Sequence, residues 1–227
     1  VFCFGSGDGD KEYLESSGWE LADSLADAVL IVARGTFVIQ DACSIVDKTK
    51  DGEEAYFDKY GKALEEAAKR NIPMVVCNPD KIRPDADRSP MPGEIGVTYQ
   101  RLLEKSGVAD SDELVLYLGK PFADVYEIAL RDCPGKKACM VGDALETDCT
   151  GAMAAGIDSV WVVMNGIHNH NILAAVSNEV DLAEEGNFDA LQTACSFVLE
   201  GFNEGSDDTY ARGNQLCPTT VLPFFQW

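Results

Sequence analysis

Short apolar runs alternate with longer amphipathic segments along most of the chain. Apolar runs of four to six residues predict buried strands, and they lie at 1–4, 28–33, 73–77, 114–118, 138–141 and 159–164. Segments with apolar positions at helical spacing predict helices, and they lie at about 10–17, 53–70, 92–106, 122–132 and 147–155. This alternation predicts an α/β protein in which helices cover a mostly parallel sheet.

Two stretches interrupt the alternation. Residues 78–93 are polar and rich in proline, which predicts a loop before the helix that Pro92 and Gly93 begin. In the last fifty residues we expect one or two helices, a loop rich in glycine, serine and aspartate at 201–214, and an apolar run at 219–227.

Charge and cysteine content limit the classes of partner. The 39 acidic and 18 basic side chains give a formal charge of −21, which opposes binding to nucleic acid and leaves carboxylates to hold a hard cation. No run of about eighteen apolar residues exists, so we expect no membrane span. Eight cysteines without a C-x-x-C pair predict reduced thiols and a cytoplasmic location. His168 and His170 have no third ligand at zinc spacing.

Two carboxylates follow the predicted strand at 138–141. Asp143 comes directly after the strand and Gly142, and Asp148 begins the next helix. Ligands of open α/β sheets bind at this edge, and two such carboxylates can share one Mg²⁺ with water and a phosphate oxygen. In the alternative interpretation Asp148 is a helix N-terminal charge and Asp143 a turn residue.

A lysine follows the preceding predicted strand. Lys120 stands between Gly119 and Pro121 after residues 114–118. If the ends of neighbouring strands converge, its ammonium group can neutralise a phosphoryl group and the carboxylates around it. The alternative is a solvated lysine beside a proline that starts a helix.

These segments together carry a family resemblance. The chain resembles the haloacid dehalogenase-like (HAD) hydrolases, and within them subfamily IIA, whose capped phosphatases act on sugar phosphates and phosphoglycolate. The resemblance rests on Gly119-Lys120-Pro121, the segment MVGDALETD at 140–148, Asn78-Pro79-Asp80, Pro92-Gly93, Gly166-Ile167-His168 and the C-terminal PTTVLPFFQW.

The resemblance implies an architecture and a set of roles. It implies an α/β cap domain at 1–113, inserted into a Rossmann-like catalytic core of which 114–227 would be the C-terminal half. Lys120 and Asp148 would be catalytic, and Asp143 with Asp148 would hold Mg²⁺. Asn78, Asp80 and Lys120 would face the phosphate or the substrate.

The motif that carries the nucleophile in this family is not found. The family places it at the end of an apolar strand, as D-x-D or D-x-x-G. Asp8-Gly9-Asp10 lies beyond the strand at 1–4, and Asp85-Ala86-Asp87 does not follow a buried strand. We therefore expect a longer polypeptide whose N-terminal part carries the nucleophile, and we interpret 5–9 as a turn rather than a dinucleotide loop.

Two hypotheses for function follow. In the first, the protein is a Mg²⁺-dependent phosphatase of a small phosphorylated metabolite that works through an aspartyl phosphate. In the second, it binds Mg²⁺ or a phosphorylated metabolite without turning it over. A phosphate-independent interaction domain is a third hypothesis. A homo-oligomer is compatible with either, and the identity of the substrate cannot be read from one sequence.

Overall fold

The structure is a computed structural model that describes residues 1–84, 88–133, 135, 137–176, 182, 187–205 and 215–225. Its contacts divide the chain into two compact units. The first contains residues 1–81 and 90–119, and the second contains residues 82–89 and 120–227. Both combine helices with largely parallel strands, so the predicted α/β class is confirmed.

The first unit is built on a six-stranded sheet. Its strands are β1 (Phe2–Gly5), β2 (Ile31–Ala33), β3 (Val38–Gln40), β4 (Ile45–Asp47), β5 (Met74–Val76) and β6 (Val115–Tyr117). They are ordered β4-β3-β1-β2-β5-β6. β1, β2, β5 and β6 are parallel, whereas β3 and β4 run antiparallel. The sequence pattern did not predict β3 and β4, because neither lies in an apolar run of four or more residues.

Three helices cover this sheet: α1 (Asp10–Ser16), α2 (Glu53–Lys69) and α3 (Pro92–Lys105). The apolar stripe of α2 places Tyr56, Leu64 and Ala67 in the core with Phe4 and Ile31. The stripe predicted at 53–70 therefore faces the sheet, as helical periodicity requires.

The second unit contains a smaller parallel sheet in the order β7-β8-β9, formed by β7 (Cys139–Gly142), β8 (Asp158–Val162) and β9 (Thr220–Leu222). Its helices are α4 (Ala123–Leu130), α5 (Thr150–Ala155), α6 (Asn169–Ala174) and α7 (Phe188–Gly205). Leu145, Trp161, Val163 and Ala194 are fully buried in its core.

The structure bears on two sequence-based predictions, a loop and a domain boundary. Part of the loop predicted at 201–214 was wrong, because α7 continues to Gly205; residues 206–214 lie outside the described part of the chain, as do Asp85-Ala86-Asp87. The boundary expected at 113/114 stays a prediction, although β6, which lies beyond it, pairs with β5 in the first unit.

Strand β7 is an edge strand in the part of the second unit that the structure describes, where it pairs only with β8. Its side chains are unusually exposed for a parallel strand: Cys139 is exposed and Val141 is 40% exposed, whereas Trp161 on β8 is fully buried. Parallel strands are normally covered and paired on both sides.

No helix in the described residues is long and apolar enough to cross a membrane.

A buried carboxylate closes the turn between β1 and α1. Asp10 accepts hydrogen bonds from Ser6 N (3.0 Å), Gly7 N (2.8 Å) and Gln40 Nε2 (3.0 Å), and its Oδ1 lies 2.5 Å from Arg34 Nη1. A carboxylate can remain charged inside a protein only with such partners. Asp10 therefore ties together the ends of β1, β2 and β3.

Asp10→Ala should destabilise the first unit by about 3 kcal/mol, because it leaves the Arg34 guanidinium without its partner. Asp8→Ala is the matched control, since Asp8 is exposed in the same turn; its effect should stay within about 0.5 kcal/mol. Urea unfolding followed by circular dichroism measures both. Equal effects of the two variants would contradict the structural role of Asp10.

Candidate active site

The end of β7 leads directly into the predicted carboxylates. Gly142 ends the strand, Asp143 and Ala144 follow, and residues Leu145–Cys149 form one turn of π-helix before α5 begins. The N–H of Cys149 donates to the carbonyl of Ala144 at 3.1 Å, which is the wider spacing of a π-turn. Such turns are frequent at functional sites, and here the turn carries Asp148 back beneath the strand end.

The carboxylate of Asp148 is almost completely buried and has three donors. Its side chain is 3% exposed, and its Oδ1 lies 2.5 Å from Lys120 Nζ. Its Oδ2 accepts hydrogen bonds from the backbone N–H groups of Asp143 (3.0 Å) and Ala144 (3.1 Å). These bonds offset the cost of burying the charge and fix the backbone around Asp143.

Gly142 makes this arrangement possible. A Cβ atom at residue 142 would lie 2.1 Å from Oδ2 of Asp148 and 2.5 Å from its Cβ. The side chain of Asp148 therefore packs directly against the backbone of β7, where no other residue type fits.

Asp143 accepts two hydrogen bonds from residues on or after β8. Its Oδ2 accepts a hydrogen bond from Ile167 N at 3.0 Å, and its carbonyl oxygen accepts one from Trp161 Nε1 at 3.1 Å. Burial raises the pKa of the Asp143 carboxyl above its usual value; the Ile167 N–H opposes this, the charge of Asp148 adds to it, and Lys120 also opposes it. The carboxylate is thus oriented but not neutralised by the protein.

The carboxylate oxygens of Asp143 and Asp148 are suitable ligands for a hard cation that keeps part of its water shell. Both oxygens of Asp148 already have donors, so it suits an orienting role or a contact through water, whereas Asp143 suits direct coordination. Mg²⁺ commonly uses one or two carboxylates and keeps several waters. Within the described residues no group of three His, Cys, Asp or Glu side chains is arranged to hold a metal, so two carboxylates are what this chain offers here.

The structure brings Lys120 next to Asp148, but not for the reason given by the sequence. We expected the ends of neighbouring strands to converge. In fact β6, which precedes Lys120, pairs with β5 in the sheet of the first unit, whereas β7 belongs to the sheet of the second. Lys120 is the first residue of the second unit's main segment and reaches Asp148 from the start of α4.

Asn78 and Asp80, predicted to face the substrate, belong to the first unit. Both are half-buried, and Asn78 Oδ1 accepts a hydrogen bond from Asp80 N at 2.9 Å, which forms an Asx turn. Gly93 at the start of α3 packs on this turn, since a Cβ there would lie 2.0 Å from the carbonyl oxygen of Pro79. Their role toward a substrate stays a prediction.

Sequence reasoning missed four residues around Asp143. Trp161 and Ile167 bond it directly, and His168 contacts Glu146 at 3.0 Å within the same site. The available signal was Gly166-Ile167-His168, which carried the family resemblance without a stated role. The contacts themselves span about 20 residues of sequence and leave no period or spacing to read.

Comparison with known protein families gives a match to the segment that contains this site. Residues 117–184 match the family model described as HAD-hydrolase-like. This match includes Lys120, Asp143 and Asp148, and it confirms the predicted resemblance to HAD-like hydrolases over that segment. A search of curated proteins found no significant match.

Solved structures extend the similarity of fold over most of the chain. A hypothetical protein from Pyrococcus horikoshii is 20% identical over 97% of this chain and 63% of its own, with a TM-score of 0.51. A 4-nitrophenylphosphatase from Thermotoga maritima is 18% identical over 94% and 58%, with a TM-score of 0.50. A p-nitrophenyl phosphatase from Archaeoglobus fulgidus is 24% identical over 95% and 61%, with a TM-score of 0.49. The chain therefore spans about three fifths of the length of these three structures.

Gly142→Ala should destabilise the second unit by about 1–3 kcal/mol, because the new methyl group displaces Asp148 from its donors. Gly201→Ala is the control: Gly201 lies in α7 with open space around it, so alanine should be neutral or stabilising by up to about 1 kcal/mol. Urea unfolding followed by circular dichroism measures both. A Gly142 variant as stable as wild type would show that Asp148 is not confined against β7.

Proposed function

We propose that the protein is a Mg²⁺-dependent phosphatase of the HAD-like class that acts on a small phosphorylated metabolite. The observation that carries this proposal is the cluster of Lys120, Asp148 and Asp143 at the carboxyl end of β7. A cation site formed by two acids next to an ammonium group suits a phosphoryl group better than an uncharged substrate.

Each residue has a distinct task in this proposal. Asp143 coordinates Mg²⁺, and Asp148 fixes both the ammonium group of Lys120 and the backbone of residues 143–144. Lys120 stabilises negative charge on the oxygens of the transferred phosphoryl group. The Mg²⁺ ion would polarise the phosphoryl group and neutralise charge on it. Asn78 and Asp80 would contribute to substrate binding.

The nucleophile is proposed to stand on a further strand that pairs with the exposed edge of β7. Two features support this: β7 pairs only with β8 among the described residues, and those residues lack a third metal-binding carboxylate. A parallel strand on that edge would end next to Asp143. There an aspartate carboxylate could attack phosphorus and displace the substrate's alcohol, which takes a proton from a second acid on the same segment; water would then hydrolyse the aspartyl phosphate and release phosphate. The length of the matched structures is compatible with such a segment.

A non-catalytic binder of Mg²⁺ or a phosphorylated metabolite is the second candidate. The observation that favours it is the same cluster, since Asp143, Asp148 and Lys120 can hold a cation and a phosphate without a nucleophile. Both candidates bind Mg²⁺ and a phosphorylated metabolite, and only the phosphatase releases phosphate.

The cytoplasmic location and a homo-oligomeric state remain predictions from the sequence.

Asp143→Asn should weaken Mg²⁺ binding by at least about tenfold, because it removes the charge of the direct ligand and keeps its shape. Asp158→Asn is the matched control, since Asp158 begins β8 at the opposite end of the same sheet. Isothermal titration calorimetry with MgCl₂ measures both affinities. Wild-type protein without Mg²⁺ binding would reject the metal site, and equal affinities in all three proteins would reject its placement at Asp143.

Lys120→Ala should lower turnover roughly 100-fold, because an ammonium group that stabilises the transferred phosphoryl group is lost. The measurement is Mg²⁺-dependent release of phosphate from p-nitrophenyl phosphate by the protein expressed from its complete reading frame. The exposed Lys62 provides the control variant Lys62→Ala, which should retain wild-type turnover. Mg²⁺ binding without phosphate release in the wild type would favour the non-catalytic candidate.

A further inference from the structure

Within the described part of the chain, the loop after β8 supplies the hydrogen bond that orients the side chain of Asp143 from outside its own turn. This bond is donated by Ile167 N to Asp143 Oδ2 at 3.0 Å. Gly166 brings the loop this close, since a Cβ there would lie 2.7 Å from the Cβ of Asp143. The direction of the Asp143 carboxylate therefore depends on where residues 166–168 are held.

His168 holds that loop through a contact with the turn on the other side of Asp143. Its Nε2 lies 3.0 Å from Glu146 Oε2, and Glu146 belongs to the π-turn that contains Asp148. We assign the ring proton to Nε2, because the shorter contact is to a carboxylate, which only accepts. With this tautomer, Nε2 does not accept the longer contact from the N–H of Leu145, at 3.4 Å.

Packing restricts the imidazole as well. His168 is 7% exposed, and its ring meets the indole of Trp161 edge to face with centroids 5.9 Å apart. The same indole donates its N–H to the carbonyl oxygen of Asp143. The imidazole of His168, which is part of the loop, thus contacts the π-turn through Glu146. The indole of Trp161, which packs against this imidazole, donates a hydrogen bond to Asp143.

We infer that His168 and Glu146 form a latch that fixes residues 166–168 against Asp143 and thereby sets the affinity of this site for a divalent cation. The inference rests on the proposed function, because it assigns a positioning role within the same cation site. Neither residue is a proposed ligand. The hydrogen bond between them keeps the Ile167 N–H directed at Asp143 Oδ2, so that the carboxylate is oriented before a cation arrives.

A purely structural role for His168 makes a different prediction. If the ring only fills space beside Trp161, an aromatic residue of similar size without a donor should preserve cation affinity. If the latch is the hydrogen bond, a side chain that donates to Glu146 should preserve affinity even though its shape differs. His168→Phe and His168→Gln separate these cases, because phenylalanine keeps the ring and glutamine keeps a donor.

The test is Mg²⁺ titration by calorimetry of the wild type, the two His168 variants and Glu146→Ala. We expect His168→Phe and Glu146→Ala to raise the Kd for Mg²⁺ roughly tenfold, and His168→Gln to stay close to wild type. The double variant His168→Phe/Glu146→Ala should bind no more weakly than either single variant, because both remove one interaction. Asp158→Asn, at the opposite end of the same sheet, is the control and should bind as the wild type does.

A second readout does not depend on the metal. Amide hydrogen exchange measured by NMR should accelerate at Ile167 by about tenfold in His168→Phe and Glu146→Ala, while the buried helix amide of Ala194 keeps its wild-type rate. Accelerated exchange at both amides would indicate general destabilisation and overturn the inference. Glu146 is 36% exposed, so its substitution tests the latch even if His168→Phe does not fold.

The outcomes separate this inference from the function on which it rests. A wild-type protein that binds no Mg²⁺ rejects the proposed cation site itself. Wild-type binding together with unchanged affinity in His168→Phe and Glu146→Ala overturns the latch alone. Loss of affinity in His168→Gln equal to that in His168→Phe would also overturn it, because the donor would then be irrelevant.

Discussion

The buried negative charge of Asp148 is the constraint around which the second unit's site is organised. A carboxylate that is 3% exposed needs donors for both oxygens, or its burial would cost several kcal/mol. Lys120 supplies one donor, and the N–H groups of Asp143 and Ala144 supply the others. The need to provide hydrogen-bond donors for the Asp148 carboxylate therefore determines where Lys120 lies and how the chain turns after β7. Asp143 is positioned as a consequence.

The local geometry follows from this requirement. The π-turn at Leu145–Cys149 places Asp148 beneath the strand end, and Gly142 leaves room for it. The first unit contains a comparable arrangement, in which Asp10 accepts N–H groups from the turn after β1 and pairs with Arg34. The two clusters differ in whether a carboxylate remains available to bind a cation. Asp10 and its partners neutralise each other, whereas the second cluster contains an additional carboxylate, Asp143, that a cation can use.

Much of the secondary structure was predictable because it depends on local patterns. The apolar runs at 73–77 and 138–141 became β5 and β7, and the stripe at 53–70 became α2. The buried stripe of α2, for example, is visible in its own residues. The hairpin of β3 and β4 was not predictable, because β3 is held by pairing with β1 and β4 by pairing with β3, rather than by their own pattern. The extension of α7 to Gly205 was also missed, because a local preference for turn residues was overridden by the packing of the helix.

For the candidate site, the sequence by itself determined the types and the order of the reactive residues: a lysine after one apolar run, and two acids separated by a short turn after another. Only the tertiary structure decided how they meet. Lys120 reaches Asp148 although β6 and β7 belong to different sheets, and Ile167, Trp161 and His168 surround Asp143 and its turn from a later strand and loop. The reason is physical: the cost of burying a charge is met by whichever donors the folded chain brings within about 3 Å, and that proximity is not encoded in any local spacing.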